Sequence, residues 1–172
     1  MVSNSFDEAK FADLISANSE YTNSFKYRDL TGSALRGLAI ITCMDSRINP
    51  LSVVGMKSGD AKILRNAGAR VTEDVLRTLV LATYLLNVDR ILVMPHTDCR
   101  MAQSDESAIH DEIKSQHGVD TTGIEFRVTK DQDAALEKDI YLIRAYPLLR
   151  EGTVVAGAIY DVKSGKIDFK NF

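Results

Sequence analysis

Two cysteines and one histidine are the residues of this sequence best suited to chemistry, because their side chains bind soft divalent metals. Cys43 opens the segment CMDSR, and His96 and Cys99 lie three residues apart further along the chain. Two thiolates and one imidazole suit Zn²⁺, whereas Mg²⁺ and Ca²⁺ prefer oxygen ligands. A structural zinc site usually closes with four Cys or His ligands, and this chain has no third cysteine. The pattern therefore favours a zinc site with one open position.

Two charged residues follow Cys43 and complete the predicted catalytic group. Two thiolates cancel the charge of the zinc ion, so such a zinc acidifies a water less than one held by neutral imidazoles. Asp45 can accept a hydrogen bond from a water on that metal, and Arg47 can hold the Asp45 carboxylate through a bidentate pair. In an extended segment, Cys43, Asp45 and Arg47 share one face.

The elements that must position these residues follow an α/β pattern. Short apolar runs alternate with helical patterns, which predicts an open, mainly parallel β-sheet of four to five strands flanked by helices. The predicted strands are 38–42, 61–64, 90–94 and 153–161, and a turn at 163–165 leads to an edge strand at 166–169. Ligands bind beyond the carboxyl ends of parallel strands. Because Cys43 follows the first strand and His96 the third, we expect both at one rim of the sheet.

Helices are predicted between these strands and at the N-terminus. Thr72 is expected to cap a helix that runs to about Leu86, and a single helix is expected over 101–116, ended by Gly118. Asp131 is expected to cap a helix over 132–145. Residues 7–25 are amphipathic and predict a helix that packs on the core or on a second subunit. Without repeats or linkers, residues 1–172 are expected to form one domain, with 1–30 as an N-terminal helical arm.

Composition limits the classes of partner and compartment. The chain has 172 residues, 45% of them hydrophobic, and a formal net charge of −3. Neither nucleic acid nor a membrane is an expected partner, because basic residues are not clustered and no apolar run is long enough to span a bilayer. The N-terminus lacks the pattern of a secretory signal. A cytoplasmic location is therefore expected, where thiols stay reduced and a disulfide is disfavoured.

The two metal-binding motifs together resemble the signature of the β-class carbonic anhydrases. That signature is Cys-x-Asp-x-Arg followed by His-x-x-Cys, and the segment RNAG at 65–68 is also similar to a stretch in this family. The last strand pair resembles that of the family, so the likeness covers roughly 38–165. The short length and the segment HTDC at 96–99 resemble the compact, archaeal-like branch.

The resemblance implies a function and a set of roles. It implies one Zn²⁺ per subunit on Cys43, His96 and Cys99, with Asp45 and Arg47 orienting the hydroxide that attacks. The implied reaction is the reversible hydration of carbon dioxide to bicarbonate and a proton, by a carbonate dehydratase. In some members the equivalent aspartate binds the metal and shuts the site. The resemblance also implies a β-carbonic anhydrase-like fold in one catalytic domain, and a homodimer or homotetramer with its pocket at the subunit interface.

The sequence departs from the family pattern at two positions, and several alternatives stay open. Arg100 stands where a glycine is usual, and Pro95 where a glycine is frequent. The same scaffold suits a carbon disulfide or carbonyl sulfide hydrolase, and Arg100 also suits a non-catalytic zinc or bicarbonate-binding protein. Three alternatives involve no catalytic metal site: the cysteines are inert buried thiols, they form a thiol-disulfide switch, or Asp45 and Arg47 form a purely structural ion pair. Asp98, His110 and His117 are not expected to bind metal. Asp98 is expected to cap the following helix, and the two histidines are expected to face solvent.

Overall fold

The computed structural model describes residues 6–172, in two compact units that meet in sequence between Thr31 and Gly32. In the first unit a 3₁₀ turn at Glu8–Phe11 leads into helix α1, Ala12–Asn23, in which no residue is buried. This confirms the predicted N-terminal helix, while its packing stays a prediction. The expectation of one domain with an arm over 1–30 also stays a prediction, and residues 1–5 of that arm lie outside the described range.

The second unit contains a five-stranded sheet in the order β2-β1-β3-β4-β5. The strands are β1 (Leu38–Cys43), β2 (Ala61–Asn66), β3 (Arg90–Met94), β4 (Val154–Tyr160) and β5 (Ile167–Lys170). The first four are parallel, and β5 pairs antiparallel with β4 to form the predicted edge hairpin. All six residues of β1 are buried, as expected of a continuous apolar run in a central parallel strand. The predicted fold class is confirmed.

Five helices connect or flank the strands in this unit: α2 (Pro50–Val53), α3 (Glu73–Leu85), α4 (Arg100–Gln103), α5 (Glu106–His117) and α6 (Gln132–Arg144). The predicted caps are present, since Thr72 and Asp131 accept from backbone N–H groups of α3 and α6, and Gly118 ends α5 in the left-handed conformation. The short helix α2 was not expected. Among residues 6–172, no helix has both the length and the apolar character that crossing a membrane requires.

The prediction of one helix over 101–116 is wrong, because the chain breaks between α4 and α5. Ser104 and Asp105 are extended, with ψ angles of 159° and 154°. Both residue types form side-chain to backbone hydrogen bonds that favour helix ends over helix interiors. The carboxylate of Glu106 also accepts from the backbone N–H groups of Phe126 and Val128, which fixes the start of α5 against that segment.

Hydrophobic side chains cover both faces of the sheet. On one face, alternate residues of β1 and β3, including Ile41 and Val93, pack with the buried sides of α3 and α6. On the other face, Ile40 and Leu92 pack with partly buried residues of α2 and its following turn. This double coverage holds the carboxyl ends of β1 and β3 side by side, and both ends lead into the predicted metal ligands.

Candidate metal centre

The structure brings the three predicted ligands together at the carboxyl edge of the sheet. Cys43 is the last residue of β1, His96 lies two residues beyond β3, and Cys99 immediately precedes α4. The two sulfur atoms and a ring nitrogen of His96 lie within 4.8 Å of one another, and all three residues are buried. Within residues 6–172 this is the only such group of three His, Cys or acidic residues.

The ring of His96 is oriented as a metal ligand. Its Nδ1 lies 2.8 Å from the carbonyl oxygen of Thr97 and must donate to it, because a carbonyl oxygen only accepts. In the neutral ring the other nitrogen, Nε2, therefore carries a lone pair. It is buried and finds no hydrogen-bond partner within the described chain. An unpartnered buried acceptor beside two sulfurs is what a zinc ligand set requires, so the residues present fit this metal.

A hydrogen bond links the side chains of Cys43 and Cys99. The Cys99 thiol donates to the sulfur of Cys43, which lowers the pKa of Cys43 although burial raises it. The same hydrogen bond, together with burial, raises the pKa of Cys99. A divalent cation bound to both sulfurs would displace their protons, since a thiolate is the form that binds metals.

Asp45 and Arg47 form the expected pair beside these ligands. Arg47 donates from Nε to Oδ1 of Asp45 at 3.0 Å and from Nη2 to Oδ2 at 2.7 Å. These hydrogen bonds hold the pKa of the Asp45 carboxyl well below its usual range. Oδ2 of Asp45 lies 3.7 Å from Nε2 of His96, so the carboxylate borders the metal ligands while it faces Arg47. The catalytic role of the pair stays a prediction.

The sequence analysis missed the contacts that hold this pair and the ligands in place. Asp98 does not cap a helix: its Oδ2 accepts from Nη1 of Arg47 at 2.8 Å, and its Oδ1 accepts from Gln103 at 2.6 Å. Arg65 donates to the carbonyl oxygens of Cys43 and Asp45, at 2.9 and 2.6 Å. Arg65 belongs to the segment RNAG, which the sequence analysis singled out. The motif did not indicate which groups Arg65 contacts.

A hydrogen bond from α6 also holds the backbone of one predicted ligand, His96. Gln132, the first residue of α6, donates from Nε2 to the carbonyl oxygen of His96 at 2.9 Å. No local pattern in the sequence relates Gln132 to His96, so only the packing of α6 on the sheet could reveal this contact.

A cavity of about 510 Å³ opens beside the ligands. Its wall includes both cysteines, the Asp45–Arg47 pair and the apolar side chains of Met44 and Met101. Arg100 also lines it, but its guanidinium forms an ion pair with Glu112 of α5.

The two remaining histidines do not belong to the ligand group. His117 is exposed, as expected. The expectation for His110 was wrong, because it is half-buried: its Nδ1 lies 2.9 Å from Oγ1 of Thr121, and its ring lies 5.2 Å from that of Phe126.

The fold and the site together define a metal-dependent α/β enzyme with its ligands at the rim of a parallel sheet, and known proteins support this class. Residues 38–167 match the family model described as carbonic anhydrase. Beta-carbonic anhydrase 1 of Mycobacterium tuberculosis is 30% identical over 158 residues, which cover 91% of this chain and 94% of the relative. The chain therefore belongs to the β-carbonic anhydrase family.

Two further proteins are similar over most of their length. The crystal structure of a carbonic anhydrase from Streptococcus mutans matches with a TM-score of 0.87 and 35% identity, over 97% of this chain and 99% of that chain. A carbon disulfide hydrolase of Saccharolobus solfataricus is 30% identical over 156 residues, 77% of this chain and 76% of the relative. The likeness thus includes a relative with a different substrate.

Proposed function

We propose that this protein is a zinc-dependent carbonate dehydratase, which catalyses the reversible hydration of carbon dioxide to bicarbonate and a proton. The observation that carries this proposal is the buried Nε2 of His96, which has no hydrogen-bond partner among the described residues and lies beside the sulfurs of Cys43 and Cys99. Membership of the β-carbonic anhydrase family supports the same conclusion.

The three ligands would hold one zinc ion per subunit. A zinc ion held by these residues would supply a Lewis acid that makes a nucleophile from water. The carbonyl oxygen of Thr97 contributes by accepting a hydrogen bond from Nδ1, which keeps Nε2 of His96 available for the metal. Gln132 donates to the backbone carbonyl oxygen of the same residue, so a second hydrogen bond holds the backbone of His96 in place.

Asp45 would orient the attacking oxygen. Because Arg47 lowers the pKa of Asp45, its carboxylate stays ionised at neutral pH and accepts a proton in a hydrogen bond. A nucleophile that donates a hydrogen bond to Asp45 keeps a lone pair for attack on a substrate in the cavity. The thioether side chains of Met44 and Met101 give that cavity an apolar wall, which suits uncharged carbon dioxide.

The proposal is tested by stopped-flow measurement of carbon dioxide hydration, combined with metal analysis. We expect one zinc per chain, loss of activity on chelation and recovery when zinc is returned. Asp45→Asn should keep its zinc and lose about a hundredfold in kcat/KM, since an outer partner of a metal site is removed. If the zinc-loaded protein does not hydrate carbon dioxide from neutral to alkaline pH, the proposal is wrong.

Carbon disulfide hydrolysis is a second candidate, favoured by the relative from Saccharolobus solfataricus. Release of sulfide from carbon disulfide and carbonyl sulfide distinguishes the two reactions. We expect little release compared with carbon dioxide hydration. Sulfide release without hydration would reverse this assignment.

A non-catalytic bicarbonate-binding role loses its main support. Arg100 suggested that role from the sequence because a free cation would retain an anion. Its ion pair with Glu112 compensates that charge.

We infer that the protein works as a homodimer or homotetramer in the cytoplasm, as a single catalytic domain with an N-terminal arm. On α3, Leu81, Tyr84 and Leu85 lie at helical spacing on one side and are all exposed in a single chain, which suits a subunit interface. Both cysteines are free, as thiols are in a reducing compartment. Light scattering should give at least twice the 19.0 kDa of one chain. A monomer at micromolar concentration would contradict the inferred assembly.

A further inference from the structure

We infer that Asp98 is a positioning residue of the metal centre: together with Gln103 it anchors Arg47, and so keeps the Asp45 carboxylate turned away from the metal ligands. The inference concerns the same centre as the proposed function and rests on it. It assigns to Asp98 and Gln103 a role beyond the expected pair of Asp45 and Arg47.

The guanidinium of Arg47 is shared between two carboxylates. The edge formed by Nε and Nη2 binds Asp45, with distances of 3.0 and 2.7 Å. The edge formed by Nη1 and Nη2 binds Asp98, through Oδ2 at 2.8 Å and through the backbone carbonyl oxygen at 3.0 Å. Arg47 therefore joins the loop after β1, which follows Cys43, to the loop after β3, which lies between His96 and Cys99.

The backbone of Asp45 is fixed independently of this network. Its carbonyl oxygen accepts from Arg65 at 2.6 Å and from the backbone N–H of Ile48 at 3.1 Å. Oδ1 of Asp45 also accepts from the backbone N–H of Arg47 at 2.9 Å, whereas Oδ2 accepts from the guanidinium of Arg47 and lies 3.7 Å from Nε2 of His96. The guanidinium therefore decides whether Oδ2 faces Arg47 or the metal ligands.

A second anchor makes the hold of Arg47 on Asp45 firmer. The Arg47 side chain is 46% exposed, and a long side chain loses rotamer entropy when a single partner holds it in one geometry. Asp98 anchors the second edge, and Gln103 of α4 donates to the remaining oxygen of Asp98 at 2.6 Å. Four side chains from three chain segments then restrain one another, and such a hydrogen-bond network holds its members more firmly than an isolated pair does.

Asp98→Asn is the variant that separates this role from misfolding. Asp98 has a φ of 57°, a left-handed conformation that asparagine tolerates as well as aspartate. Arg47 and Gln103 bind different oxygens of Asp98, and an asparagine amide has an acceptor oxygen at only one of these two positions. Asp105→Asn is the matched control, because it removes the same charge from an acid that pairs with Lys130 at 2.6 Å and does not line the cavity.

The main readout is azide binding, measured from the visible spectrum of the cobalt-substituted proteins, and it does not depend on turnover. If Asp45 is released onto the metal in Asp98→Asn, azide must displace it, and its dissociation constant should rise about tenfold. A purely electrostatic role for Asp98 predicts the opposite sign, because removal of a negative charge strengthens the binding of an anion. Asp105→Asn should stay within about twofold of the parent, since screening weakens distant surface charges.

The variant should also keep the zinc content of the parent and lose about tenfold in kcat/KM for carbon dioxide. Unchanged or tighter azide binding in Asp98→Asn would overturn the inference. A crystal structure of the zinc-loaded variant with Asp45 still on Arg47 would overturn it as well. If the parent does not hydrate carbon dioxide, the proposed function fails, while the azide titration still decides the role of Asp98.

Discussion

At the residue scale, each ligand of the centre contributes through one atom whose chemistry the neighbouring groups determine. The carbonyl oxygen of Thr97 accepts from Nδ1 of His96, and a hydrogen bond from Cys99 lowers the pKa of Cys43. Thiolate sulfur is the soft donor that selects zinc over the hard cations of the cell. Replacement of one cysteine by serine therefore changes a metal-binding atom from sulfur to oxygen, while the side chain keeps almost the same shape.

We expect Cys99→Ser to lose zinc affinity more severely than the roughly hundredfold that loss of an outer partner costs. A serine hydroxyl does not ionise near neutral pH and is a poor zinc ligand. Competition with a chromophoric chelator measures the affinity, and circular dichroism reports whether the fold is kept. Ser104→Ala, in the linker between α4 and α5, serves as control and should bind zinc like the parent. Equal affinity in Cys99→Ser would exclude Cys99 from the ligand set.

At the element scale, the closeness of α6 to the sheet depends on Gly157 in β4. A Cβ atom at this position would overlap Cδ1 of Ile140 and lie 3.2 Å from side-chain atoms of Leu136. Both side chains are buried and belong to α6. Because Gln132 begins the same helix and holds the carbonyl group of His96, this packing also supports the metal centre.

Gly157→Ala should lower the free energy of unfolding by about 1–3 kcal/mol, the usual cost of overpacking a core. Urea denaturation measures this change. Gly123→Ala is the control, since an added Cβ there meets nothing within 4 Å. Adding Ile140→Val, which deletes Cδ1, should recover part of the loss. An unaffected Gly157→Ala would mean that α6 can move away without cost.

The start of α5 depends on the charge of Glu106. Its carboxylate accepts from the backbone N–H groups of Val128 and Phe126, and these hydrogen bonds lower the pKa of the Glu106 carboxyl below its ordinary value. A carboxyl group with a lowered pKa in the folded state stabilises that state above its unfolded pKa. This contribution is lost as the pH falls through the folded value.

We therefore expect Glu106→Gln to be less stable than the parent at pH 7, and the difference to shrink steadily below about pH 4.5. Urea midpoints of the two proteins, measured from pH 7 down to pH 3, give this difference directly. Glu125→Gln is a control, because the Glu125 carboxylate is exposed and lies 3.5 Å from Nε of Arg127. A gap between parent and Glu106→Gln that does not depend on pH would show that the charge of Glu106 is unimportant.

At the scale of the whole molecule, the three ligands connect the carboxyl ends of two central strands. Cys43 ends β1, and His96 and Cys99 follow β3, so a metal bound to all three links segments far apart in sequence. A ligand that binds the folded chain and not the unfolded chain stabilises the fold. The gain in the free energy of unfolding grows with the logarithm of the ratio of free ligand concentration to dissociation constant.

Removal of zinc should therefore lower the melting temperature by about 10 °C, as expected for a tight site in a chain of this size. Scanning calorimetry before and after dialysis against a chelator measures the change, and returned zinc should restore the original value. Cys99→Ser should show no comparable response to chelation. Identical melting with and without metal would contradict a site that joins β1 and β3.

The amino-acid sequence by itself determined the elements and the identity of the ligands. Continuous apolar runs identified β1 and β3, and Thr72, Asp131 and Gly118 marked helix ends, because such signals depend on a residue and its near neighbours. The choice of Cys43, His96 and Cys99 followed from residue types that few metals other than zinc prefer. Both kinds of inference need only local spacing.

Only the tertiary structure decided which side chains meet across the centre. The break before α5, the anchoring of Arg47 by Asp98 and the pairing of Arg100 with Glu112 each depend on residues that are distant in the chain. A polar side chain in a loop can form a hydrogen bond with the end of the adjoining helix or with a neighbouring loop. Which bond forms depends on which loops the strand order places next to each other. The order β2-β1-β3-β4-β5 sets that adjacency through long-range pairing, which no local pattern records.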